Sequence, residues 1–241
     1  MQMTDDVRAM ARTCYGYGCW SAPYWFLGPE QGMGRNENDD LNRRIEAWRH
    51  FGSRELDDCR EFHFRIGETR WHGEHPVLQQ TWRKLLLTLM TFLGTPTDEA
   101  TRLRYQQNEW GRQPSETCII ELSGLAAHSL KADRDRQCFR EERVLDIRAR
   151  MHTYKPQFVI MYGKTRDCRN AWKAIADGAE TITEGAFPFA EFRKSGPTFL
   201  ALTPHPASWG PTNEDWTELG TRLRTFVRVL QQSRRACSWT A

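Results

Sequence analysis

His205 stands between two prolines at the end of an apolar run, Phe199-Leu-Ala-Leu-Thr-Pro-His-Pro-Ala-Ser-Trp-Gly210. Proline fixes φ and supplies no backbone donor, so the imidazole sits on a stiff main chain that cannot relax into a helix. A titratable ring held this way suits a place where a proton or a developing charge must be met at a fixed point. A second apolar run, 24–27, breaks at Gly28-Pro29 and delivers an acid, Glu30. A third, 117–122, carries Glu121 and is followed by Ser123. A fourth, 158–162, closes at Gly163-Lys164, where Lys164 and Arg166 lie at a strand-to-helix turn suited to phosphate contact.

These runs must be positioned by the elements around them. Apolar residues at helical spacing over 77–93, with Gly94 as a stop, predict a helix, and further helices are expected over 141–151, 165–176 and 213–233. Buried strands are expected at 24–27, 117–122, 158–162 and 198–203, with an edge strand at 187–193. Strands alternating with helices predict a three-layer α-β-α sandwich, an α/β fold around a mostly parallel four-stranded sheet. In such sheets the site lies outside the carboxyl ends of the strands, where all the unusual loops here fall. One domain over 1–241 is expected, with an insertion at 33–76. That insertion mixes a solvated helix at 39–51 with a polar, aromatic and histidine-rich stretch, and its place beside a strand end suggests a substrate-facing lid.

Net charge is only +3, which neither requires nor excludes a nucleic-acid partner. The 34 Lys+Arg and 10 Trp supply what a protein uses to hold phosphates and stack on bases, although a tryptophan-rich core with a charged surface uses the same residues. Seven cysteines form no CxxC pair, which predicts reduced thiols rather than a disulfide framework. Cys14 and Cys19 are too widely spaced for the usual metal-ligand run, so no metal and no cofactor are expected. The apolar runs are too short to span a membrane, and a soluble cytoplasmic protein without an obligate protein partner is expected.

Taken together, the motifs resemble those of the uracil-DNA glycosylase superfamily. Tyr24-Trp-Phe-Leu-Gly-Pro-Glu-Gln-Gly-Met-Gly34 is similar to its first motif, and Leu202-Thr-Pro-His-Pro-Ala-Ser-Trp209 to its second. Gln157-Phe-Val-Ile-Met-Tyr-Gly-Lys164 resembles its third strand. The resemblance extends from about Cys19 onward. It implies hydrolysis of the bond between a base and its deoxyribose after the base is flipped from a duplex or taken from a single strand. By that resemblance Glu30 would hold or activate water and stabilise the cation-like sugar, and His205 would donate to the departing base. Gly28, Pro29 and Gln31 would line the base pocket. Ser208 would hold a phosphate, and Trp209 would fill the gap left by the flipped nucleotide, unless it is core packing. A lysine for a Schiff base is not evident beyond Lys164, so a monofunctional enzyme is expected.

Where the uracil enzymes carry an asparagine that reads uracil, this chain offers Glu121, Leu122 and Ser123. An ionised carboxylate only accepts hydrogen bonds, so Glu121 would suit the amino group of a cytosine-like base, unless it pairs with an arginine in a helix layer. Some members of the superfamily act in phage defence on hypermodified cytosines, including glucosylated hydroxymethylcytosine. A modified cytosine is therefore the leading expected substrate, with uracil second and non-catalytic nucleic-acid binding as the alternative class.

Overall fold

The computed structural model describes residues 4–32, 37–126, 139–183 and 187–238. Residues 33–36 of the expected insertion and Cys138 lie outside them. Among the described residues, eight strands form one sheet: β1 (Gly16–Gly18), β2 (Tyr24–Gly28), β3 (Leu56–Asp57), β4 (Thr117–Glu121), β5 (Phe158–Tyr162), β6 (Glu180–Ile182), β7 (Glu191–Ser195) and β8 (Thr198–Thr203). Their order is β3-β1-β4-β2-β5-β8-β7-β6. The central four, β4-β2-β5-β8, are parallel, while β1 and β7 join them antiparallel on either side. The fold is α/β as expected, but the sheet is larger and mixed because short strands extend both edges.

Among the described residues, eight helices accompany the sheet: α1 (Asp5–Thr13), α2 (Glu37–His50), α3 (Cys59–Arg65), α4 (Trp82–Leu93), α5 (Glu99–Asn108), α6 (Arg140–Tyr154), α7 (Arg166–Ile175) and α8 (Asn213–Ser238). Alternation along the central strands sorts their side chains onto two faces. Phe26, Ile119, Phe158, Ile160 and Ala201 pack with residues of α2, α3, α4 and α8. Trp25, Leu27, Ile120, Val159, Met161 and Leu200 pack with residues of α6 and α7. Buried on both faces, the strands read as nearly continuous apolar runs, as parallel strands do.

Two boundaries and the burial of one helix differ from expectation. Helix α4 begins at Trp82 rather than at 77, because the buried amide of Gln106 captures the preceding main chain: it donates to the carbonyls of Trp71 and Val77 and accepts from the Gln79 N–H. The strand expected at the edge over 187–193 runs instead over Glu191–Ser195 and lies inside the sheet, paired with β8 on one side and with β6, which takes the edge, on the other. Helix α2 is not simply solvated: Leu41, Ile45 and Trp48 are buried in the core.

Candidate active site

The parallel arrangement brings four carboxyl ends to one edge of the sheet. Glu121 is the last residue of β4 and lies in register with Gly28, the last of β2. Tyr162 ends β5 opposite Thr203, which ends β8. Glu30 follows β2 by two residues and His205 follows β8 by two. Glu30, Glu121, Tyr162 and His205 line a single cavity of about 520 Å³ together with Pro29 and Gln31. That volume falls within the range of small-molecule sites.

Glu121 is 6% exposed, and its Oε2 has no hydrogen-bond partner. Burial first, then the Glu30 carboxylate, push its pKa up to about 8, against a smaller opposing effect of Arg143. Arg143 does not neutralise the Glu121 side chain. Its buried guanidinium donates to main-chain carbonyls instead, those of Glu121 (2.7 Å), Leu122 (2.9 Å), Ala11 (3.2 Å) and Arg12 (3.3 Å). Glu121 is therefore mostly protonated at neutral pH, which corrects the expectation of an ionised, accept-only group. A neutral carboxyl both donates and accepts.

Gly28 is required by close approach. A Cβ there would lie 2.3 Å from the Tyr162 hydroxyl and 2.6 Å from Glu121 Oε2, so those two polar groups converge over a bare backbone. The Tyr162 ring also meets His205 edge-on, with centroids 5.4 Å apart. His205 accepts at Nδ1 from the Ala207 N–H (3.1 Å). Burial lowers its pKa, so the ring is neutral at pH 7. A neutral ring that accepts at Nδ1 carries its proton on Nε2, and that N–H is the donor left to offer.

Residues of the 37–76 segment also line the cavity. Arg44 of α2 is buried and binds Asp40 (2.9 Å), Gln31 Oε1 (2.7 Å) and the Gly32 carbonyl (3.0 Å). Gln31 Oε1 also accepts from the Tyr17 hydroxyl (3.1 Å), so its NH₂ is the group it can present. Arg70 donates to Glu68 (2.8 Å) and lies over Trp71 at 4.8 Å. All of these residues line the cavity.

The other candidates fall elsewhere. Ser123 is buried in the turn after β4, donating to the Leu125 carbonyl and accepting from the Leu125 N–H, and does not line the cavity. Lys164 and Arg166 are exposed at the β5–α7 turn, where Thr165 caps the helix. Ser208 donates to the His205 carbonyl (2.6 Å) and so closes the proline-bracketed loop. Trp209 is 100% exposed on that loop and is not core packing.

Sequence reading missed Tyr162, which looks like one more apolar residue of a buried strand. It also missed Tyr17, set between glycines, and the Arg44–Asp40 pair, whose i,i+4 spacing resembles any surface helix pair. The cue for Tyr162 was available: it is the last residue before Gly163 on a strand flanked by both catalytic candidates. No protein-family model matches this chain, and no curated protein matches its sequence. Among the described residues, no helix is long and apolar enough to cross a membrane.

Proposed function

We propose that the protein is a monofunctional DNA glycosylase that accepts a flipped base in this cavity and hydrolyses its N-glycosidic bond. The observation that carries this reading is the convergence of Glu30 and His205, from two strands separated by β5, on one cavity at the carboxyl edge of the sheet. As the bond breaks, its electron pair leaves with the base and positive charge develops on the sugar. Glu30 stabilises that charge and takes a proton from the water whose oxygen adds to the sugar carbon. His205 Nε2–H donates to the base oxygen on which negative charge grows. Trp209, fully exposed on the loop that carries His205, would fill the gap in the stack, and the exposed Lys164 and Arg166 would contact phosphates.

A modified cytosine is the substrate this account favours. A pyrimidine ring alone fills a small part of 520 Å³. The remaining wall carries carboxylates, guanidinium groups and the Trp71 ring, groups that bind hydroxyls and sugar faces. Uracil is the second reading, favoured by one observation: a neutral Glu121 offers a donor beside an acceptor, which also complements the uracil edge. The test is alkali-labile strand breakage with wild type, Glu30→Gln and His205→Ala on the substrate that wild type cleaves. Each variant is expected to lose about 100-fold or more in single-turnover rate. A variant with a near wild-type rate would remove the role given to that residue.

A further inference from the structure

Cys59, His63 and His72, which the proposed reaction does not use, meet at the cavity wall, which His63 itself lines. The i,i+4 spacing in α3 puts Cys59 and His63 on one helix face, and the turn that follows returns His72 to them. Cys59 Sγ lies 3.5 Å from His63 Nδ1 and 3.7 Å from His72 Nε2, and the three ligand atoms are within 4.8 Å of one another. Exposure is 0% at Cys59, 7% at His63 and 2% at His72. The rings of Tyr17 and Trp82 pack against the histidines.

We infer that Cys59, His63 and His72 are the protein ligands of one zinc ion. Zinc bonded tetrahedrally to sulfur at about 2.3 Å and nitrogen at about 2.0–2.1 Å places the two ligand atoms about 3.6 Å apart. The two sulfur–nitrogen separations found here bracket that value. Two imidazoles and a thiol are a borderline-soft donor set suited to zinc, and three protein ligands leave a fourth position. His72 Nδ1 is buried without a hydrogen bond of normal geometry, and the Gln106 main chain acts on the ring. Coordination through Nε2 fixes the proton on Nδ1, as an outer-shell acceptor requires.

Zinc entry forms one Zn–S and two Zn–N bonds. The Cys59 thiol proton leaves to solvent. The His63 proton moves from Nδ1, which now faces the Cys59 carbonyl at 2.6 Å, to Nε2. One proton is therefore released per ion. The ion ties α3 to the turn carrying His72, and so braces the wall formed by His63, Glu68, Arg70 and Trp71.

The full chain, purified without chelator, is assayed for metal by mass spectrometry, then stripped and titrated with cobalt(II). The expected result is close to one zinc per chain. Cobalt should give a thiolate charge-transfer band that saturates at one equivalent, with one proton released. Cys59→Ser should lose that band, and His72→Ala should weaken cobalt binding by about 100-fold or more, with circular dichroism checking each fold. The wild-type titration decides the matter even if a variant fails to fold. A zinc content far below one with no charge-transfer band, copper as the only retained metal, or an unchanged band in a folded Cys59→Ser would each overturn the site. None of these readouts depends on base excision.

Discussion

At neutral pH, burial and the nearby Glu30 carboxylate keep a proton on Glu121. In that state the side chain can pair with a donor and an acceptor in either order, so under the proposed function it would take the edge of cytosine or uracil. Once ionised, it only accepts. If the neutral form is the one that holds the base, the excision rate falls by about tenfold per pH unit above about 8, because the competent fraction falls with the proton concentration. Glu121→Gln keeps a donor and an acceptor without titrating. Its pH–rate profile should stay level through pH 9, roughly one unit past that midpoint. A wild-type profile that remains level there would show that Glu121 does not hold the base in its neutral form. Glu30 and His205 could be picked out of the sequence because each follows an apolar run broken by Gly or Pro, and Glu121 because it is an acid inside one. The protonation state of Glu121 could not, since it depends on burial and on a second acid 91 positions away.

The carboxyl edge keeps its shape partly through one helix. Arg143 of α6 ties that helix to the end of β4 and to the C-terminal turn of α1 through four main-chain carbonyls, and stacks over Tyr15 at 4.1 Å. Arg143→Met keeps the apolar stem but leaves those carbonyls without their donor. The expected loss is about 3–5 kcal/mol of stability, measured by urea unfolding followed through tryptophan fluorescence. A loss below about 1 kcal/mol would show that water replaces the guanidinium without cost. The central strands and α6, α7 and α8 were readable as elements because long apolar patterns and Pro or Gly stops mark them. Strand β1 was not, because Gly-Tyr-Gly has little strand preference and pairs only because β4 and β3 flank it. The start of α4 was also hidden, since it is set by Gln106, a residue 24 positions further along.

For the whole molecule, the raised pKa of Glu121 links the site to folding. The folded state holds this proton more tightly than the unfolded chain does. The corresponding stability is fully present below the ordinary value of 4.5 and is lost as pH rises through about 8. Glu121→Gln has nothing to lose on that limb. Its urea midpoint at pH 8 should exceed that of wild type, and the two should converge toward pH 5. A wild-type advantage at pH 8 would contradict the buried, proton-retaining carboxyl. The α/β class and the edge of the sheet that carries the site follow from strand–helix alternation. The sheet's full width and the cavity wall do not, because 37–76 packs through scattered aromatic and charged residues without a single period.

The most direct measurement is abasic-site formation. Duplex and single-stranded DNAs carrying cytosine, uracil, hydroxymethylcytosine or glucosylated hydroxymethylcytosine are incubated with the protein and treated with alkali. Strand breaks are expected at the modified cytosines, with none at cytosine, and breakage is lost in Glu30→Gln. Breaks at uracil alone would overturn the assigned substrate, and intact strands on every DNA would contradict the glycosylase reading itself.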